Sequence, residues 1–175
     1  NDIAGVDTAD YSSAASGVTV NLDGSSSSGD SAAGDTLTGV ESVIGSTGTD
    51  VLSLGIAGSV KVSAIETVLG SAATTDVVTM LTAGALAVSG VETVVGVGLG
   101  VDTVTMLATG TLVASNVDSV IGTAGADTVV MRGASTDTVW AGGGADSLTA
   151  GTGVDHFLYK AQGDSGLGVS ADTIT

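Results

Sequence analysis

Four segments of this chain open alike. VESVIGSTGTDVLSLGIAGSVKVSA (residues 40–64) is followed by IETVLGSAATTDVVTMLTAGALAVSG (65–90) and VETVVGVGLGVDTVTMLATGTLVASN (91–116), and VDSVIGTAGADTVVM begins a fourth copy at Val117. The period is 25, then 26, then 26 residues. A unit this short cannot bury an apolar face alone, so the chain must stack one copy on the next.

Within each copy three short apolar segments are separated by Gly, Ala, Ser and Thr. In the second segment Leu52 and Leu54 become Val78 and Met80, then Val104 and Met106, then Val129 and Met131, with Ser53, Thr79 and Thr105 between them. That is the period of a strand with one face buried and one wet. The third segment alternates likewise through Val60 and Val62, Leu86 and Val88, Leu112 and Ala114, and Lys61 falls on the outward side. The first segment, residues 40–44 and its equivalents, is too apolar for its faces to be assigned. Frequent Gly, Val and Thr disfavour helices. The expectation is an all-β, right-handed parallel β-solenoid whose coils are about 26 residues wide, with about three strands each, roughly 4.8 Å apart.

Composition agrees with thin, regular layers: 43% of residues are apolar but only 2% aromatic. Nineteen acidic residues oppose Lys61, Arg132 and Lys160, a formal charge of −16. Such a field repels phosphate backbones and anionic lipids, which argues against nucleic-acid or membrane-surface partners and for cations. Cysteine and proline are absent, excluding a disulfide framework and cysteine-ligated zinc. No apolar run approaches the roughly 18 residues a membrane span needs, and NDIAGVDTADYSS is not a signal peptide. The chain is read as a piece of something longer.

Residues 1–39 fit an irregular opening coil, in which residues 7–11 resemble the second segment and 17–22 the third. DGSSSSGDSAAGDTLTG (23–39) reads as a flexible surface loop leaving the stack, with binding as the alternative.

Stacking wide coils would align Glu41, Glu66, Glu92 and Asp118 in one column and Asp50, Asp76, Asp102 and Asp127 in another. Carboxylates about 5 Å apart repel by about 0.8 kcal/mol even in bulk water. A bound cation or turn amides can relieve the Asp column. SAATTD has no glycine before Asp76, which favours capping in the central copies. The Glu column is expected to splay into water.

From Gly122 the spacing tightens. Asp127, Asp137, Asp146 and Asp155 recur at intervals of ten, nine and nine, behind the turns GTAGAD, RGASTD, AGGGAD and AGTGVD, each followed by a strand seed. This resembles the RTX (hemolysin-type calcium-binding) nonapeptide G-G-x-G-x-D-x-U-x, U being apolar, which builds a parallel β-roll holding Ca2+. Glycines let the turn carbonyls face inward and Asp supplies a hard anionic oxygen. The resemblance implies an 18-residue coil in which Asp127 stacks with Asp146 and Asp137 with Asp155. The matching glycines are Gly122, Gly125, Gly142, Gly144, Gly151 and Gly153. The turn before Asp137 departs from the pattern, keeping only Gly133 and placing Arg132 first, where a guanidinium could substitute for an ion. HFLYKAQGDSGLGVSADTIT, with Phe157, Tyr159, Asp164 and the stretch 171–174, resembles the C-terminal cap region of serralysin-type proteins. The implied division is an opening coil at 1–39, three wide coils at 40–121, a β-roll at 122–158 and the start of a cap at 159–175, with a secretion signal expected further on.

There is no H-E-x-x-H or G-x-S-x-G, and His156, the single histidine, is expected to face outward. Trp140 and Phe157 are expected in the core or cap. The leading expectation is a non-catalytic, calcium-binding structural segment of a large secreted bacterial surface protein of S-layer, adhesin or filament type, located outside the cell. Its open coil ends would permit a homo-oligomer or polymer. The alternatives are a C-terminal folding and secretion module of an exported protease, lipase or toxin, and a flat face for ice or glycan along Ser53, Thr79 and Thr105.

Overall fold

A computed structural model describes residues 5–55, 58–71, 75–166 and 171–175. Residues 72–74 of the SAATTD turn and 167–170 of the C-terminal stretch lie outside these. The described chain is a parallel β-solenoid with two strands per coil. One sheet holds β1 (Thr8–Asp10), β3 (Ser42–Ile44), β5 (Ser59–Ser63), β7 (Val77–Met80), β9 (Thr93–Val95), β11 (Thr111–Ser115), β13 (Thr128–Arg132), β15 (Ser147–Thr149) and β17 (Thr173–Ile174). The facing sheet holds β2 (Thr19–Asn21), β4 (Val51–Ser53), β6 (Thr67–Leu69), β8 (Ala85–Ser89), β10 (Thr103–Met106), β12 (Ser119–Ile121), β14 (Thr138–Trp140) and β16 (His156–Phe157).

The chain alternates between the sheets at every strand, and this corrects the expected coil width. Val77 lies beside Thr93, sixteen residues on, and Thr93 beside Val113, twenty on. Val104 lies beside Leu86, eighteen back. An 18-residue spacing therefore runs through the slow repeats as well as the fast one, and the 26-residue, three-strand coil does not exist. Three strands complete one and a half coils, so successive copies of the repeat start on opposite sheets: β3, β6, β9 and β12 are equivalent in sequence but alternate in position. Ser53, Thr79 and Thr105 accordingly do not form a column, because Thr79 lies on the other sheet.

The core is a double layer of aliphatic side chains. Leu52, Leu54, Val78, Met80, Val104, Met106, Val129 and Met131 are buried, as are Val60, Val62, Leu86, Val88, Leu112 and Ala114, while Lys61 is exposed. In the first segment Val43, Val68, Val94 and Val120 point inward. Each such burial is worth roughly 1.5–3 kcal/mol. Aliphatic side chains of similar size stack from coil to coil, so few aromatics are needed to fill irregular space.

Residues 23–39 are not a free excursion. The amide of Thr19 donates to the carbonyl of Ser28 and that of Ser28 to Thr19, pairing the outer edge of β2 antiparallel. Ala32, in a short 3-10 turn (Asp30–Ala32), is fully buried. Asp30 accepts the amides of Ala15 and Ser16 at 2.7 and 3.1 Å, and the Tyr11 hydroxyl donates to Asp35 at 2.9 Å. The segment folds over the first coil and closes it.

Candidate metal centre

The residue before each strand stands at a turn of the solenoid, and carboxylates occupy most of these positions. They do not align as Asp with Asp and Glu with Glu, since the coil is shorter than the repeat. Asp50 neighbours Glu66, and Asp76 neighbours Glu92, each sixteen residues on. One hydrogen-bond scheme joins them. The amide of each residue donates to the carboxylate of the next coil: Val18 to Asp50 (2.7 Å), Asp50 to Glu66 (2.7 Å), Gly58 to Asp76 (3.0 Å), Asp76 to Glu92 (2.8 Å), Gly84 to Asp102 (3.0 Å) and Asp102 to Asp118 (2.7 Å).

The second oxygen of each central Asp caps its own turn. Oδ2 of Asp50, Asp76 and Asp102 accepts the amides of Ser46 (2.6 Å), Ser71 (2.5 Å) and Val97 (2.6 Å). The carboxylates that the turns bury are thus neutralised by backbone dipoles, and capping rather than a cation relieves the strain. The Glu side chains do not simply splay outward, for Glu41, Glu66 and Glu92 each accept an amide, from Asp7, Asp50 and Asp76, although Glu66 stays exposed.

Toward the C-terminus the arrangement changes. In the slow repeats the runs are two carboxylates long, and the register then slips by two residues where five-residue strands such as β8 begin early: Thr67 pairs Ala87, the third residue of β8. From Asp102 one side carries Asp118, Asp137 and Asp155 without a break, and from Asp127 the other carries Asp146 and Asp172. The pairs inferred from the turn spacing are brought together: Asp127 donates its amide to Asp146 Oδ1 at 2.8 Å, and Asp137 to Asp155 Oδ1 at 3.1 Å. Their glycines pack turn on turn. A Cβ at Gly142, whose φ is 95°, would strike the Thr123 carbonyl, and one at Gly153 the Ser135 carbonyl. Gly122 abuts Ala141, Gly144 abuts Gly125, Gly151 abuts Gly133, and Gly125 meets the Thr109 side chain.

Individual carboxylates differ in what they have left to offer. Asp127 is fully engaged, Oδ1 by the Gly110 amide at 3.0 Å and Oδ2 by the amide and hydroxyl of Thr123 at 2.7 and 2.9 Å. Asp146 is 2% exposed; its Oδ1 takes the Asp127 amide, and its Oδ2 is buried with no partner. Burial pushes the Asp146 carboxyl above its ordinary range, the Asp127 amide opposes this, and the charges of Asp172 and Asp127 push it further up. Asp137 is raised by burial, against the Ser135 hydroxyl that donates to it at 2.7 Å, and the charges of Asp155 and Asp118 add to the rise. Arg132 is exposed at the end of β13 and is not among the groups acting on Asp137.

Asp172 was missed as a site residue. Asp-Thr-Ile at 172–174 repeats the Asp-Thr-Val of 127–129 and the Asp-Ser-Leu of 146–148, which was the available signal. A 26-residue interval hid it. Its Oδ1 accepts the Asp146 amide at 3.0 Å, and its Oδ2, like that of Asp146, is buried without a partner.

Residues 133–165 match the family model for the RTX calcium-binding nonapeptide repeat (4 copies). This stretch is an RTX-like β-roll segment. No curated protein and no solved structure matches the chain. The RTX match indicates calcium binding, and the residues fit the ion. Ca2+ takes six to eight oxygens from carboxylates, carbonyls and water. Among the described residues no three His, Cys, Asp or Glu side chains converge. Turn carbonyls would therefore supply much of the coordination, beside the stacked Asp residues of the RTX turns. Bound there, the ion supplies positive charge where carboxylates crowd.

The segment just after β16 reaches the outer side of β14. Trp140 points outward on β14 and contacts this segment: its Nε1 donates to Asp164 Oδ2 at 3.0 Å, and Lys160 Nζ lies 3.7 Å from its ring centroid. Asp164 also accepts the amides of Lys160 and Ala161 at 2.6 and 2.9 Å. Phe157 is half-buried against the core and His156 is exposed.

Proposed function

We propose that this calcium-binding structural segment serves as a rigid, non-catalytic portion of a large bacterial surface protein that is exported unfolded and sets on meeting extracellular calcium. The observation that carries this reading is the change in the turns. Central carboxylates are each satisfied by amides, whereas the RTX end crowds Asp146 against Asp127 and Asp172 and leaves buried carboxylate oxygens unpaired. Ions that bind only the folded state stabilise it by mass action, so calcium-poor cytoplasm and calcium-rich surroundings favour opposite states. S-layer, adhesin and filament roles share this requirement for an inert, stiff rod. The proposed boundary between ion-free and ion-dependent coils lies near residue 122.

An antiserum to the segment applied to intact cells of the source bacterium tests the reading. Calcium-dependent labelling of the cell surface is expected. Antigen confined to the culture medium, attached to a protease, lipase or toxin, would establish the secretion-module alternative instead.

A further inference from the structure

We propose that the turn joining β9 to β10 pairs this chain with a second copy of itself, Leu99 of each copy seating in a recess on the same edge of the other. Val97, Leu99 and Val101 stand where the other three copies of the repeat carry only Ser, Thr, Ala and Gly ahead of the turn Asp. Leu99 is 87% exposed and Val101 70%, and Leu81, on the turn of the preceding coil, is exposed too. Val97 also forgoes a bond. Ser46 and Thr123 stand at the same place in their copies, and their hydroxyls donate to Asp50 and Asp127 at 3.0 and 2.9 Å. This turn thus gives up a donor to a buried carboxylate and wets apolar surface, a combination the fold does not require and a contact surface does.

The recess lies one coil further on. Between β11 and β12 the turn at 116–118 is short, and the longer turns at 96–102 and 133–137 rise on either side of it. Val97, Gly98, Asn116, Ala134 and Ser135 line the resulting space, about 160 Å³. A cavity of about 150 Å³ holds a benzene-sized group, so one leucine side chain fits. Projection and recess are neighbours on one edge, and a two-fold axis between their coils brings each to its counterpart. The same axis runs the two edges antiparallel and sets each sheet's side against the other's, which carries the end of β13 over the 81–84 turn of the second copy. Arg132, exposed at that end, then stands one strand spacing, ~4.8 Å, along the edge from the partner subunit's Glu66, which is exposed at the start of β6. These opposite charges favour a second copy over an unrelated apolar surface and select the register. The carboxylates that would oppose pairing of two chains of charge −16 are withdrawn, for Asp102 and Asp137 on the facing turns are 0% and 1% exposed.

Sedimentation equilibrium of the full segment in saturating calcium tests the pairing. A reversible monomer–dimer equilibrium is expected. Leu99→Asp should weaken it by about tenfold or more and leave the β-sheet circular dichroism and the thermal melt of the single chain unchanged. Glu66→Gln keeps an acceptor for the Asp50 amide, and Arg132→Glu should weaken the dimer less in that background than in the parent. The chain has no cysteine, so Leu99→Cys mixed with Ala134→Cys under mild oxidation should give more disulfide-linked dimer than either variant alone. Greater cross-linking of Leu99→Cys to itself would overturn the recess as the docking point. A dimer undiminished by Leu99→Asp would overturn the role of the turn. A parent chain that stays monomeric at its highest attainable concentration would overturn the pairing altogether and leave the turn to a different protein or a lipid surface.

Discussion

The backbone amide of Asp76 donates to the carboxylate of Glu92, 2.8 Å away on the next coil. Asp76 is itself fully buried, so this amide has no water to turn to. Glu92→Ala is expected to lower stability by about 1–2 kcal/mol, the cost of a buried donor left unmet. Glu92→Gln keeps a carbonyl oxygen and should cost less than half of that. Urea denaturation should give the same differences with and without calcium, because this turn satisfies its carboxylates internally.

Calcium removal should act on one end of the molecule. Hydrogen exchange on the full segment in chelator is expected to show lost protection in β13 through β17, while β4 through β10 retain slow exchange. Uniform loss along the chain would mean that the capped carboxylates of Asp50, Asp76 and Asp102 do not suffice to hold their coils.

Gly142 combines a φ of 95° with direct approach to the Thr123 carbonyl. Gly142→Ala should destabilise the RTX coils by about 2–4 kcal/mol, from backbone strain together with forced separation of the turns. Gly98, where an added Cβ meets nothing within 4 Å, is the control: Gly98→Ala should stay within about 0.5 kcal/mol. Thermal melts in saturating calcium compare the two.

Tyr11 gives the opening coil a pH limit. Burial pushes its hydroxyl up to about 12, and the hydrogen bond to Asp35 and that carboxylate's charge add to the rise. A group whose proton is held more tightly in the folded state contributes stability below its unfolded pKa of about 10. That contribution is lost as pH climbs from about 10 through about 12. Absorbance titration of Tyr159→Phe, which leaves Tyr11 as the single tyrosine, should show the late ionisation. Tyr11→Phe should flatten the decline in stability across the same window.

Alternation within strands was legible because an inward Val and an outward Thr differ in chemistry wherever they stand. Leu52, Val78 and Val104 declare their face without reference to any neighbour. The number of strands per coil was not legible for the same reason: both sheets offer one apolar and one wet side, so no residue type records which sheet it occupies. The repeat measures where the pattern recurs, and the coil measures where the chain returns beside itself; only the fast repeat has the two in step. That mismatch misplaced the Glu column, since Glu92 meets Asp76 only if the coil closes after sixteen residues. The turn pairs Asp127 with Asp146 and Asp137 with Asp155 were recoverable because their spacing is the coil. Asp172 was not, since the long return from β16 breaks the count.

The half-turn carried by every 26-residue copy bears on how such a chain can lengthen. Duplicating one copy adds three strands and rotates everything downstream to the opposite side, so a surface that faced one way afterwards faces the other. Duplicating two copies restores the original aspect. Odd and even copy numbers are therefore different molecules to any neighbour that contacts both ends, and parity, more than length, governs which insertions an assembled protein of this kind can accept.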